Sequence, residues 1–157
     1  MFKLILTPAS FHQDIAVIFF LNSYGVVLDS YYLAIDNNPK YGELEGYERV
    51  YAILKDLFIH WREVVATGKG FLTLDFSDQY IAGFKVESVD SDKIKLEYIV
   101  YRDVSITGEY IEDVYTKDYS SLTPFVDKDF NVVLVNKNEF LKAINDDLIK
   151  TVMALTC

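Results

Sequence analysis

Three apolar runs, Phe71–Phe76, Tyr80–Asp90 and Lys93–Arg102, follow one another with only Ser77-Asp78-Gln79 and Asp90-Ser91-Asp92 at the joins. Joins that short rule out the crossover of a dozen or more residues that parallel strands need, so the runs are read as antiparallel hairpins. In Lys93–Arg102, Ile94, Leu96, Tyr98 and Val100 alternate with Lys93, Lys95 and Glu97. That period of two is the mark of a half-buried strand.

The rest of the chain fits around this meander. Met1–Leu6 is a short strand stopped by Thr7-Pro8, and Asp14–Leu21 and Val26–Ile35 are two β-branched and aromatic runs. Asn22-Ser23-Tyr24-Gly25 between them has hairpin chemistry, with Gly25 able to take positive φ. From about Leu44 to Ala66, Tyr47, Val50, Tyr51, Leu54, Leu57, Phe58, Trp61 and Val65 recur at spacings of three and four. Those spacings predict a helix with one wide apolar stripe, supported by a Glu45–Arg49 pair and ended by Gly68. Gly108–Tyr115 reads as an exposed edge strand, Thr116–Asp129 as a loop stiffened by Pro124, and Asn131–Val135 as a last strand. A second helix follows, capped by Asn136 or Asn138, with Phe140, Leu141, Ile144, Leu148, Val152 and Leu155 on its stripe. The expected fold class is α+β: one domain over residues 1–157, an antiparallel meander of about six or seven strands, and two helices (about 44–66 and 137–154) packed on one face.

Composition limits function. The 157 residues include 15 basic and 24 acidic side chains, a net charge of −9, and 51% are hydrophobic. A chain this apolar is not disordered, and a single Cys excludes a disulfide scaffold. A strongly acidic chain is repelled by phosphates, which argues against a nucleic-acid partner. No run reaches the ~18–20 apolar residues of a membrane span, and the interrupted N-terminal segment lacks the form of an export signal. The chain is therefore expected to be cytoplasmic.

Catalytic patterns fail one by one. His60 and Glu63 share a helix face, but a zinc site wants three or four ligands and only His12 remains. No G-x-S-x-G elbow is present, and Cys157 is a terminal residue. Thr67-Gly68-Lys69-Gly70 leaves a helix instead of opening one, so it is a terminator and not a phosphate loop. Acid pairs such as Asp75/Asp78, Asp90/Asp92, Glu112/Asp113 and Asp146/Asp147 are numerous, and most read as solvated turn residues. No cofactor or metal is expected. An aromatic-lined pocket in a small enzyme or ligand-binding domain, with His60 or a carboxylate as its polar group, is the alternative; a homodimer burying the aromatic excess is another.

The charge is unevenly placed. Residues 87–118 hold nine acids against four bases, interleaved with tyrosines. Tyrosine offers a rigid contact surface with a polar tip, and flanking acids steer a basic partner to it. The partner-binding candidates are Glu97, Tyr101, Asp103, Glu109, Tyr110, Glu112, Asp113 and Tyr115. Charges that merely guard a sheet edge against aggregation would look similar.

The segment Leu72-Thr73-Leu74-Asp75-Phe76-Ser77-Asp78-Gln79-Tyr80, continued by Ile81–Val86, resembles small bacterial immunity proteins of polymorphic or contact-delivered toxin systems. The shared pattern is an apolar–Asp–Phe–Ser–Asp–Gln–Tyr turn between two strands. The resemblance implies a non-catalytic inhibitor that binds one cognate toxin and blocks its active site.

Overall fold

The computed structural model describes residues 2–8, 15–22, 24–29, 39–76, 80–102, 123–126 and 132–156, with side chains in the last helix described to Asp146. Among them are eight strands and two helices: β1 (Phe2–Pro8), β2 (Ile15–Leu21), β3 (Tyr24–Asp29), α1 (Gly46–Thr67), β4 (Lys69–Phe76), β5 (Tyr80–Ser88), β6 (Lys93–Arg102), β7 (Pro124–Val126), β8 (Val133–Asn136) and α2 (Lys137–Thr156). The α+β class and both helices stand as the sequence predicted. The strands number eight, and they divide into two antiparallel sheets.

The first sheet has the order β1-β2-β3. Its tight turn puts Asn22, not Gly25, at positive φ (56°). Asn tolerates the left-handed region that a two-residue hairpin requires. Gly25 instead lies within β3, paired with Phe20. The second sheet runs β4-β5-β6, and β6 then pairs with two short strands, β7 opposite residues 99–101 and β8 opposite residues 93–96. Pro124, expected to stiffen a loop, opens β7 at the sheet edge, where a missing N–H is tolerated. The edge-strand expectation for Gly108–Tyr115 lies outside the described residues.

The helices tie the sheets together. The apolar stripe of α1 buries Val50, Ile53, Leu54, Leu57, Phe58, Trp61 and Val65. Phe58 and Trp61 meet Phe2 and Phe19 of the first sheet at 5.8–6.2 Å between ring centroids, while Trp61 meets Phe84 of the second edge-on at 6.4 Å. Phe140 of α2 reaches the same cluster, 5.6 Å from Phe2. The two helices are also joined by Arg62 Nη1 donating to Asn145 Oδ1 at 2.6 Å. Before α1, a single 3-10 turn at Pro39–Tyr41 buries Tyr41, whose hydroxyl donates to Asp56 at 2.6 Å. Lys40 pairs with the same carboxylate at 2.7 Å. The expected Glu45–Arg49 pair is not among the ion pairs of the described residues; a backbone bond joins these positions instead.

Gly68 ends α1 as expected, at φ 73°, its N–H shared between the carbonyls of Val64 and Val65. A Cβ there would lie 1.8 Å from Ser88 Oγ, so glycine is required by space as well as by backbone. In the following strand the pairing slips between Thr73 and Asp75, a bulge opposite Gly83. The backbones come so close here that a Cβ on Gly83 would sit 1.9 Å from the Leu72 carbonyl oxygen. The Thr73 carbonyl accepts the indole N–H of Trp61 at 2.8 Å. The helix therefore anchors the irregular point of the sheet.

Candidate functional site

The side chains of β6 alternate between the two faces of the second sheet. Ile94, Leu96, Tyr98 and Val100 share the face that carries Phe84 and Val86 of β5, the core side. Lys95, Glu97, Ile99 and Tyr101 share the outer face with Lys85, Glu87, Gly83 and Ile81. This outer face carries both sequence-predicted site residues that fall within the described residues, Glu97 and Tyr101. It has two unlike halves.

Near the β5–β6 turn the face is charged. Lys85 lies directly across from Glu97, and Glu87 across from Lys95. The Glu87 carboxylate accepts from Lys85 at 2.8 Å and also pairs with Lys95. Hydrogen bonds from those two ammonium groups, Lys85 first, hold its pKa down to about 2. The same contact raises Lys85. Over a third of the Glu87 side chain is exposed, so water screens the cluster and its contribution to folding is about 1 kcal/mol or less. Its role is one of order: two long lysines are held flat against the sheet.

Toward the other end the face becomes buried, and apolar apart from Thr73. Thr73, Ile81, Ile99 and Tyr101 are all buried, Tyr101 at 7% exposure. The Tyr101 ring meets Phe71 edge-on at 5.3 Å, and burial raises its phenol above the ordinary value. Tyr101 thus behaves as packing, with Glu97 as the half-buried residue at its margin. Asp103, Glu109, Tyr110, Glu112, Asp113 and Tyr115 lie outside the described residues.

The carboxylate pairs resolve differently. Asp90 accepts the backbone N–H groups of Asp92 and Lys93, both at 2.8 Å, and so fixes the β5–β6 turn. Asp78 lies outside the described residues. His60 is half-buried, with its pKa lowered by burial against the opposing effects of Glu63 and the Phe71 backbone. Among the described residues no group of three or more His, Cys, Asp or Glu could hold a metal ion. No helix of the described residues is long and apolar enough to cross a membrane.

Spaces among the described residues include two beside the core. One is an aromatic seam between Phe19, Trp61, Phe84 and Phe140 with no room for water. The other, about 160 Å³, opens beside β8 and the start of α2. His60 lines neither. The second space was not legible from sequence, because it is made by residues from both sheets and α2. Its neighbours Val132 and Leu134 left a signal in the uncharged run Val132–Val135.

No family model matches the chain, and no curated protein matches it. Among solved structures it is similar to a chain of one titled "CdiA-CT/CdiI toxin and immunity complex from Enterobacter cloacae", at 13% identity and a TM-score of 0.48, covering 96% of this chain and 98% of that one. At that identity and TM-score, the function has to be argued from the chain's own residues.

Proposed function

We propose that this chain is a non-catalytic, protein-binding inhibitor, an immunity protein that acts in the cytoplasm by binding a cognate bacterial toxin. The observation that carries the reading is the outer row of β6. Ile99 and Tyr101 of this row are buried and Glu97 is its acid that reaches solvent, and the sequence passes from the end of that strand into the acid- and tyrosine-rich residues 103–119. The resemblance of residues 72–86 to immunity proteins supports the same reading.

Glu87 is engaged by two lysines, so the steering charge falls to Glu97 and to Asp103, Glu109, Glu112 and Asp113 beyond it. Acids grouped this way accelerate encounter with a basic enzyme and select against other partners more than they deepen affinity. The buried ring of Tyr101 gives the row a rigid floor.

The test is co-expression with a neighbouring reading frame that encodes a toxin-like C-terminal domain. Growth is expected to be rescued, and failure of rescue sinks the function. Lysine substitutions at Glu97, Glu109, Glu112 and Asp113 together should slow association by roughly tenfold at low salt and flatten its salt dependence. Unchanged association would remove the surface while leaving the function standing.

A further inference from the structure

The edge of the second sheet beyond β6 is formed by β7 and β8, and among the described residues β8 pairs with no strand but β6. β8 (Val133-Leu134-Val135-Asn136) and the preceding Val132 carry no charge and no proline. Leu134 is 59% exposed and Val132 49%. Sheet edges in monomeric proteins are ordinarily guarded by short length, charge, proline, a bulge or a covering element, because unpaired N–H and C=O groups recruit strands, and β8 has only its four-residue length among the first three. This stretch has neither charge nor proline.

The cavity of about 160 Å³ borders the same strand: Leu134, Val135 and Asn136 line it, with Phe2, Leu21, Phe140 and Ala143. It has some ten times the space that a single water needs, yet falls below the ~300–1,000 Å³ of drug-sized ligand sites. It is the size of one side chain. Glu139 is the only charged residue in the lining, beside the polar Asn22 and Asn136. Apolar walls with a carboxylate suit a long aliphatic stem carrying a positive charge.

We propose that the free edge of β8 receives an extended segment of a basic partner protein, which adds as a strand and places a lysine or arginine side chain in this cavity with its charge at Glu139. Alternation along the added strand places side chains two residues apart on one face. Main-chain bonds to β8 supply affinity, and the cavity supplies selection for a cation. A second copy of this chain is a poor occupant, because each copy carries a net charge of −9. The inference rests on the protein-binding reading and uses the β8 edge, which adjoins the Lys95–Glu97 row through the pairing of Leu134 with Lys95.

The probe is a capped heptapeptide of alternating threonine and valine with lysine at its centre, titrated into the isotope-labelled full chain and followed by amide chemical shifts. Shifts are expected at residues 132–136, Leu21 and Ala143, with binding at least tenfold weaker when the central lysine is replaced by glutamate. Glu139→Gln should weaken the lysine peptide about tenfold and leave a leucine-centred peptide unchanged. Leu134→Lys, at an exposed position, should abolish peptide shifts while the spectrum stays folded. Equal binding of the lysine and glutamate peptides, or shifts confined to other surfaces, overturns the proposal. So does concentration-dependent self-association that moves the β8 amides without peptide. Because these readouts use no toxin, their failure leaves the rescue experiment undecided and intact.

Discussion

Trp61 shows how much one residue can coordinate. Its ring packs against Phe19 of the first sheet and Phe84 of the second, and its N–H satisfies the Thr73 carbonyl at the bulge. A buried carbonyl left without a donor costs about 1–3 kcal/mol. Trp61→Phe keeps most of the apolar packing but strands that carbonyl, so unfolding free energy should fall by about 2–3 kcal/mol once the lost ring volume is included. Urea denaturation followed by circular dichroism measures this, since the variant has no tryptophan to report. A loss below about 0.5 kcal/mol would mean that the bulge carbonyl finds another partner. The stripe of α1 marked Trp61 as buried from sequence, but its partner was hidden. A bulge is a slip of one residue in pairing, and no residue type in Leu72-Thr73-Leu74 announces it. Tyr101 is more buried than its place in the strand pattern suggested, for a related reason. Period-two reading assigns one face to the core, whereas β6 also buries Ile99 and Tyr101 on the opposite face.

At the scale of elements, the junction between β8 and α2 is the most heavily used. Asn136 ends the strand, and its Oδ1 accepts the N–H of Glu139 at 3.1 Å. This decides between the two cap candidates. Asn136→Ala should therefore cost about 1 kcal/mol, and Asn136→Asp should retain most of the stability, as measured by thermal or urea unfolding. Equal losses in both variants would show that the amide matters for something other than capping. Both helices, the β4–β6 meander and the first hairpin were legible because periodicity and short joins are local signals. Division into two sheets was not. Each strand run describes its own faces, and whether β3 would pair with β4 depends on α1 lying between them in sequence and packing against both sheets. The cavity is illegible for the same reason: Phe2, Leu21 and Phe140 meet there from elements far apart in the chain.

The whole molecule should weaken in acid in two stages. Burial lowers the folded pKa of His60 below its ordinary 6.5. The unfolded chain takes that proton first, so stability is full above 6.5 and declines as pH falls toward the folded value. Glu87 acts at lower pH: with a folded pKa of about 2 against 4.5, its contribution is present above 4.5 and is lost on descent toward about 2. Urea midpoints measured across this range should lose the upper limb in His60→Gln and the lower limb in Glu87→Gln. Persistence of the upper limb without His60 would assign it elsewhere. The meeting of Phe2 with Phe140 has a temporal consequence as well. During synthesis both sheets can emerge with their hairpins formed locally, but the aromatic cluster stays open until α2 has cleared the ribosome. A chain interrupted before Phe140 leaves Phe2, Phe58 and Trp61 without their last covering ring and invites aggregation or proteolysis.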